Sequence, residues 1–563
     1  MRKTRNGQFL LAIVLGVSVT AWGQGGSGRA GRAAAQQSGA RGNVPEAAPG
    51  GAPAAGRSGR GGRGGFGAAA ATSEFYNYDP AAGAEAPIPD SSPIETHQKI
   101  TLNGEALAYT ARAGYLPLRN ATTGRSEAHL FYTYYAKDGD SGPRPVMFFF
   151  GGAPGVAASW QEFGGLGPKR MHWTEGGVGM PPYAWTDNPH TLLGQADLVF
   201  VNPVGTAFSR PDQPSHASNF WNTNADVASL AEFVRSFLVL YSRQNSPLFL
   251  AADDFGTGRA AGLTLYLNEH DVPVHGVALF SMTMDPEALA GDEQYMTLLP
   301  SLTLAAWTHK KLSPEMNAMS LEQIAGQARQ FASREYLHAL YKGDRMTPEE
   351  RTKVIADMAR LTGVSKAFLI NNDLRVTLDR FNGELMHDQH RGLSYSDARV
   401  SGFVPGTGGG RGFGGGGRFG AAAVPVDFNL SGISGGFQTA YEGYLHKDLN
   451  FTAAHDAIYY LSSGGVEGFT ATGSDDTSLS GAFARNPNLR LFVGVNYYDL
   501  HAPFYATEFT LAHLNVSPEV RAHNIRVSHY EAGEMPYVDD KALVKLQSDL
   551  ANFINDATGA GRK

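Results

Sequence analysis

Residue types and spacing come closest to chemistry in the stretch Leu250-Ala251-Ala252-Asp253-Asp254-Phe255-Gly256-Thr257-Gly258. The apolar run before it, Pro247-Leu248-Phe249, reads as a buried strand. Arg259-Ala260-Ala261-Gly262-Leu263, after it, reads as a helix start. A strand, a tight Gly-rich turn and a helix form the frame of a nucleophile elbow, which lifts a serine oxygen above a sheet. Here the tip residue is Asp254. A carboxylate cannot do what an activated hydroxyl does, so this position decides which reactions the site can support.

Other segments give the position a context. Pro145-Val146-Met147-Phe148-Phe149-Phe150-Gly151-Gly152-Ala153-Pro154-Gly155 is similar to a strand ending in Asn-Gly-Gly-Pro-Gly. Gly167-Pro168-Lys169-Arg170, Asp187-Asn188-Pro189 and Asn202 to Ser209 follow in order, and Asn496-Tyr497-Tyr498-Asp499-Leu500 and Tyr530-Glu531-Ala532-Gly533-Glu534-Met535 come late. From about His97 to Ile554 the chain resembles the bacterial branch of the serine carboxypeptidases. The resemblance implies an α/β-hydrolase fold, meaning a mostly parallel sheet flanked by helices with a helical cap insertion. It also implies peptide C-termini as substrates and no organic cofactor.

The departures fall on the chemistry. The family's Gly-Glu-Ser-Tyr-Gly elbow is here Ala252-Asp253-Asp254-Phe255-Gly256, and its Gly-His-Met loop is Gly533-Glu534-Met535. Ser, Asp and His therefore correspond to Asp254, Asp499 and Glu534. The substrate-binding positions correspond to Gly151, Gly152, Ala153, Asp253 and Phe255, with Gly151 and Asp253 where the family anchors a terminal carboxylate. Serine acyl transfer needs a hydroxyl and a base, and both are replaced. The expectation is an inactive homologue that binds a peptide-like ligand or an envelope protein. The alternative is an active peptidase or hydrolase with an altered acidic or metal-assisted site.

Three roles stay open for the acids. They can be remnants of a dead site, where mutual repulsion makes at least one hold a proton or pair with a cation. They can bind a hard ion such as Ca²⁺ or Mg²⁺; no metal is assigned from sequence. Or Asp254 can attack carbon to form an alkyl ester, with Glu534 or His501 activating water. His387 and His390, three residues apart, could share a helix face but lack an identifiable third ligand.

The 563 residues carry a net charge of -7 and no cysteine. Mild acidity gives no case for nucleic acid as a partner. Arg2, Lys3 and Arg5 before the apolar stretch Phe9 to Val19, with Ala21-Trp22-Gly23 after it, read as a secretory signal over 1-23. The mature protein is then expected in the periplasm or outside the cell, without a membrane span. Residues 24-75, rich in Gly, Ala and Arg, are expected to be disordered. A hydrolase core is expected over 95-285 and 424-563, separated by a helical insertion over 286-404 and a Gly-rich loop over 405-423. Val146 to Phe150 and Leu198 to Val201 read as doubly buried strands. Val227 to Tyr241 has helical spacing. Ser313-Pro314-Glu315, Ser320-Leu321-Glu322-Gln323 and Thr347-Pro348-Glu349-Glu350 read as helix starts within the insertion.

Overall fold

The computed structural model describes Ile88 and residues 90–559, apart from 140–141, 153–154, 174–179, 283–290, 405–426, 453–468 and 471–474. The chain divides into two units, Met1–Phe66 and Gly67–Lys563, and everything below belongs to the second. The expected signal, the Gly/Ala/Arg-rich tract, Ala153 and the 405–423 loop lie outside the described residues.

Nine strands build the main sheet: β1 (Ile94–Leu102), β2 (Glu105–Arg119), β3 (Ser126–Lys137), β4 (Val146–Phe150), β5 (Asp197–Val201), β6 (Leu248–Asp253), β7 (Gly276–Phe280), β8 (Arg490–Asn496) and β9 (Ile525–Tyr530). Their spatial order is β1-β2-β3-β5-β4-β6-β7-β8-β9, and a two-residue strand, Arg210–Pro211, also pairs with β3. The strands from β1 to β5 in that order pair antiparallel, and from β5 to β9 every pairing is parallel. Strand β6, which delivers the elbow, lies between β4 and β7.

Continuous apolar runs suit these central strands because both faces are covered. Val146, Phe148 and Phe150 of β4, with Leu248, Leu250 and Ala252 of β6, enter one core. Helices α1 (Thr223–Leu240) and α2 (Gly256–Glu269) pack there through Val227, Leu230, Phe233 and Leu263. Met147, Phe149, Phe249 and Ala251 face the other core, with Phe437, Tyr441, Leu543 and Leu546.

Between β7 and β8, helices dominate the stretch Glu293 to Leu385. Its helices include α3 (Glu293–Thr308), α4 (Leu321–Phe331) and α5 (Pro348–Thr362). Ser320 with Gln323, and Thr347 with Glu350, form complete capping boxes, each satisfying donors that a helix start leaves orphaned. Leu299, Leu302, Ile324, Met358 and Leu361 continue the first core into this layer. Two three-residue strands, Arg391–Leu393 and Ser401–Phe403, close it.

Helices α6 (Phe428–Lys447) and α7 (Asp540–Thr558) follow the insertion. The aromatic segments Leu107 to Ala111 and Leu130 to Tyr135 read as short strands but belong to strands of 15 and 12 residues. Polar residues inside them disguise their length. Arg112, for example, stays within β2 by pairing with Glu95 at 2.7 Å and lying over the Tyr134 ring at 5.5 Å.

Candidate functional site

The elbow is intact as backbone. β6 ends at Asp253, α2 begins at Gly256, and Asp254 holds φ +47° between them. Asp tolerates this left-handed region better than most residues, because its short side chain bonds locally. The Asp254 amide donates to Phe280 O at 3.0 Å, and its carbonyl accepts from Thr257 N at 3.0 Å and Thr257 Oγ1 at 2.7 Å. Gly256 has to be glycine: a Cβ there would come within 2.4 Å of Gly151 O. Gly152 faces the tip, and a Cβ on it would lie 3.3 Å from Asp254 Cβ.

A buried ion pair fixes this loop to the elbow helix. Arg259, in the first turns of α2, donates to Gly151 O at 2.9 Å and Gly152 O at 3.3 Å, while its Nε bonds Asp226 Oδ2 at 2.5 Å. The two residues are only 3 % and 5 % exposed. Sequence reading passed over both. An Arg five residues beyond an elbow tip, in an otherwise small and apolar helix start, was the available signal.

Around the tip the carboxylates converge. Asp499, fully buried three residues beyond β8, accepts from the amides of His501 (2.8 Å) and Ala502 (3.1 Å) through Oδ1, while its Oδ2 has no hydrogen-bond partner. His501 Nδ1 lies 2.9 Å from Glu534 Oε2. The Glu534 amide donates to Ser396 O at 2.7 Å, and its carbonyl accepts from Ser281 Oγ at 2.7 Å. Asn496 Nδ2 donates in turn to Ser281 Oγ at 2.7 Å. Gly533 allows this approach, because a Cβ there would meet Ser396 O at 2.3 Å. The insertion segment around Ser396 thus braces the loop that carries Glu534.

Electrostatics at the site follow from burial and crowding. Burial raises Asp254 above the usual carboxylate range, against support from the Phe255 amide and the His501 charge. Burial likewise lifts Asp499 to about 6 and Glu534 to about 8, with the Asp254 charge adding to both. Burial alone would lower the His501 imidazole, but the Glu534 hydrogen bond and the charges of Glu534, Asp499 and Asp254 raise it to about 9. At neutral pH the ring is a cation among acids, although the side chain is 39 % exposed.

The positions expected to bind substrate differ in their surroundings. Asp253 is buried, takes the Tyr537 hydroxyl on Oδ2, and is raised to about 7 chiefly by burial. It is committed to the interior. The Phe255 ring packs edge-on against Phe469 at 5.8 Å. Gly151 packs against backbone, since a Cβ on it would lie 2.2 Å from Val156 O. His387 and His390 are exposed in a single 3₁₀ turn that His390 ends at φ +51°, so they share no helix face; Asp388 between them pairs with Lys311 at 2.9 Å. Beside the site, a cavity of about 420 Å³ runs along Trp173, Arg399, Phe428, Ile433 and Met535 to the Gly533–Glu534 backbone.

A mixed sheet with a sharp strand–turn–helix elbow, acids on the following strand ends and a helical cap over that edge define the α/β-hydrolase fold. Residues 102–358 match the serine carboxypeptidase family model. The match includes the Gly151–Gly152 loop and the elbow and stops before Asp499 and Glu534. No curated protein matches the chain. Among solved structures, a lipase in its open form shows 10 % identity, 82 % coverage of this chain and 99 % of that chain, with a TM-score of 0.29. A monoglyceride lipase from Saccharomyces cerevisiae, in a soluble variant with a substrate analogue, shows 10 % identity, 79 % and 94 % coverage, and a TM-score of 0.33. An acetylester hydrolase from Corynebacterium glutamicum shows 12 % identity, 80 % and 96 % coverage, and a TM-score of 0.30. No helix among the described residues is long and apolar enough to cross a membrane.

Proposed function

We propose that this is an exported, serine carboxypeptidase-like protein that does not carry out serine acyl transfer and uses the old cleft to bind a peptide-like ligand or an envelope partner. One observation carries the reading: the elbow tip is Asp254, and the group at the family's histidine position is the Glu534 carboxyl, so neither a hydroxyl nor its base occupies its place. Loss of the serine or the histidine alone costs about a million-fold in turnover in a well-studied protease. The surroundings agree. The Phe255 amide, a natural oxyanion donor, supports the Asp254 carboxylate instead. Asp253, at the family's anchor position, is turned to Tyr537. Export rests on the charged and apolar N-terminal pattern of Arg2 to Val19.

The test is a fluorophosphonate probe together with C-terminal peptide hydrolysis. No serine should be labelled, and N-blocked dipeptides should be cleaved no faster than background. Stoichiometric labelling of any serine, with hydrolysis, would overturn the reading.

A second reading is favoured by the His501–Glu534 contact beside the tip. Asp254 attacks a saturated carbon and displaces its leaving group, giving an alkyl ester on Asp254. His501, oriented by Glu534, then takes a proton from water, which attacks the ester carbonyl and releases an alcohol. An imidazole raised to about 9 weighs against this, because only ~1 % of it is the free base at pH 7. Single turnover in H₂¹⁸O separates the readings, since this route alone places ¹⁸O in the Asp254 carboxyl.

A further inference from the structure

We propose that Asp499, His501 and Glu534 bind one divalent transition-metal ion, with Zn²⁺ the best fit. The inference rests on the reading above that acids have replaced the triad, but it is measured without any substrate.

Convergence comes first. One ligand atom from each of the three residues lies within 4.8 Å of the other two. Donors about 2.1 Å from a tetrahedral Zn²⁺ lie ~3.4 Å apart, so a separation at the 4.8 Å limit would have to close by about 1 Å, a side-chain adjustment, for all three to chelate. His501 Nδ1 and Glu534 Oε2, 2.9 Å apart, already match two neighbouring ligands. Placed about 2.1 Å from one ion, they would subtend roughly 90°.

An unmet need provides the second observation. Asp499 is 0 % exposed, and its Oδ2 is a buried oxygen with no hydrogen-bond partner. A buried carboxylate oxygen left bare is costly. The neighbouring donors are few. Oδ1 takes the two backbone amides, and the Ser281 hydroxyl, close enough to support the Asp499 carboxylate, has one proton to share between it and the Glu534 carbonyl 2.7 Å away. A cation seated among the three residues would supply the missing partner.

Ligand chemistry selects the ion. Two carboxylates and an imidazole suit Zn²⁺ or Mn²⁺ better than Ca²⁺ or Mg²⁺, which prefer all-oxygen shells. The imidazole comes from His501, two residues after Asp499, which the three-acid reading of the sequence left out of the ligand set. The supports a metal site needs are already built. Glu534 is held through Ser396 O and Ser281, and Asp499 through two amides. The half-exposed His501 leaves the site open to solvent for a fourth ligand.

The experiment uses the untagged full-length chain, treated with chelator and dialysed, then titrated calorimetrically with ZnCl₂, MnCl₂, CaCl₂ and MgCl₂. One Zn²⁺ per chain should bind with Kd of about 1 μM or tighter, and Ca²⁺ and Mg²⁺ roughly 100-fold more weakly. Asp499→Asn, His501→Gln and Glu534→Gln should each weaken Zn²⁺ by about 10-fold or more, while His387→Ala with His390→Ala should not. Co²⁺ substitution gives an independent readout on the wild-type chain: a visible d–d band of a low-coordinate site that His501→Gln shifts or abolishes. This holds even if an acid variant fails to fold. Unchanged Zn²⁺ affinity in folded variants, less than half an ion bound per wild-type chain, or Ca²⁺ binding as tightly as Zn²⁺ would each overturn the proposal.

Discussion

Two of the buried acidic nests among the described residues are built in opposite ways. Glu162, on the turn Glu162–Leu166, is 2 % exposed and stands alone among hydroxyls. Tyr135 donates to its Oε1, and Tyr441 donates to its Oε2 at 2.6 Å. At the elbow, three carboxylates face one another with a single imidazole between them. The first nest satisfies a lone acid with neutral donors, so its residual cost is burial. That burial lifts Glu162 to about 7 against the two tyrosines. In the second nest mutual repulsion adds to burial, and only a positive charge relieves it. A lone acid tied to tyrosines is a structural element, whereas acids crowded around an opening are a demand for a cation.

Removing a nest's centre should have the largest effect. Glu162→Ala would remove the carboxylate that two buried tyrosine hydroxyls share and open a void, costing about 3–5 kcal/mol by chemical denaturation. A loss under ~1 kcal/mol would mean that water replaces the carboxylate and that the nest is not structural.

Next in size is a pH effect. The folded-state value of Glu162, about 7, exceeds its ordinary 4.5, so the native state holds the proton more tightly than the unfolded chain. Its contribution is fully present below pH ~4.5 and is lost as pH rises through about 7, a change of at most about 3 kcal/mol. Glu162→Gln should flatten the part of the melting-temperature profile between pH 5 and 8 that this group causes. An unchanged slope would place the titration elsewhere.

A pair of smaller, opposite effects sharpens the contrast at the elbow. In chelator at pH 8, Asp254→Asn should stabilise by about 1 kcal/mol through relief of repulsion. His501→Ala should destabilise by about as much, because it removes the cation. Equal signs for the two variants in thermal melts would show that repulsion does not govern this nest.

The doubly buried strands, the elbow turn and the helix starts after residue 286 were legible because each rests on local pattern. Val146 to Phe150 is apolar throughout, Gly256 follows the tip, and Thr347-Pro348-Glu349-Glu350 is a complete capping box. The three acids could be placed by resemblance because their loops keep neighbours such as Tyr498, Gly533 and Met535. The Arg259–Asp226 pair and the Tyr537–Asp253 bond were not legible, since each joins residues far apart in the chain. His501 was visible as a candidate, but its partner was not. That depended on the Glu534 loop being pressed inward by the Ser396 carbonyl, a contact between elements more than a hundred residues apart.

The Arg259 clamp and the 2.4 Å clearance that a side chain at Gly256 would violate weld the glycine loop to the elbow helix. The floor of the cleft therefore moves as one plate and has no slack with which to mould itself to a guest. Adaptation has to come from the walls, from the Trp173, Phe428 and Ile433 side of the cavity and from the insertion's Arg399. Selection for different guests would then alter the rim and leave the elbow's sharp backbone turn unchanged.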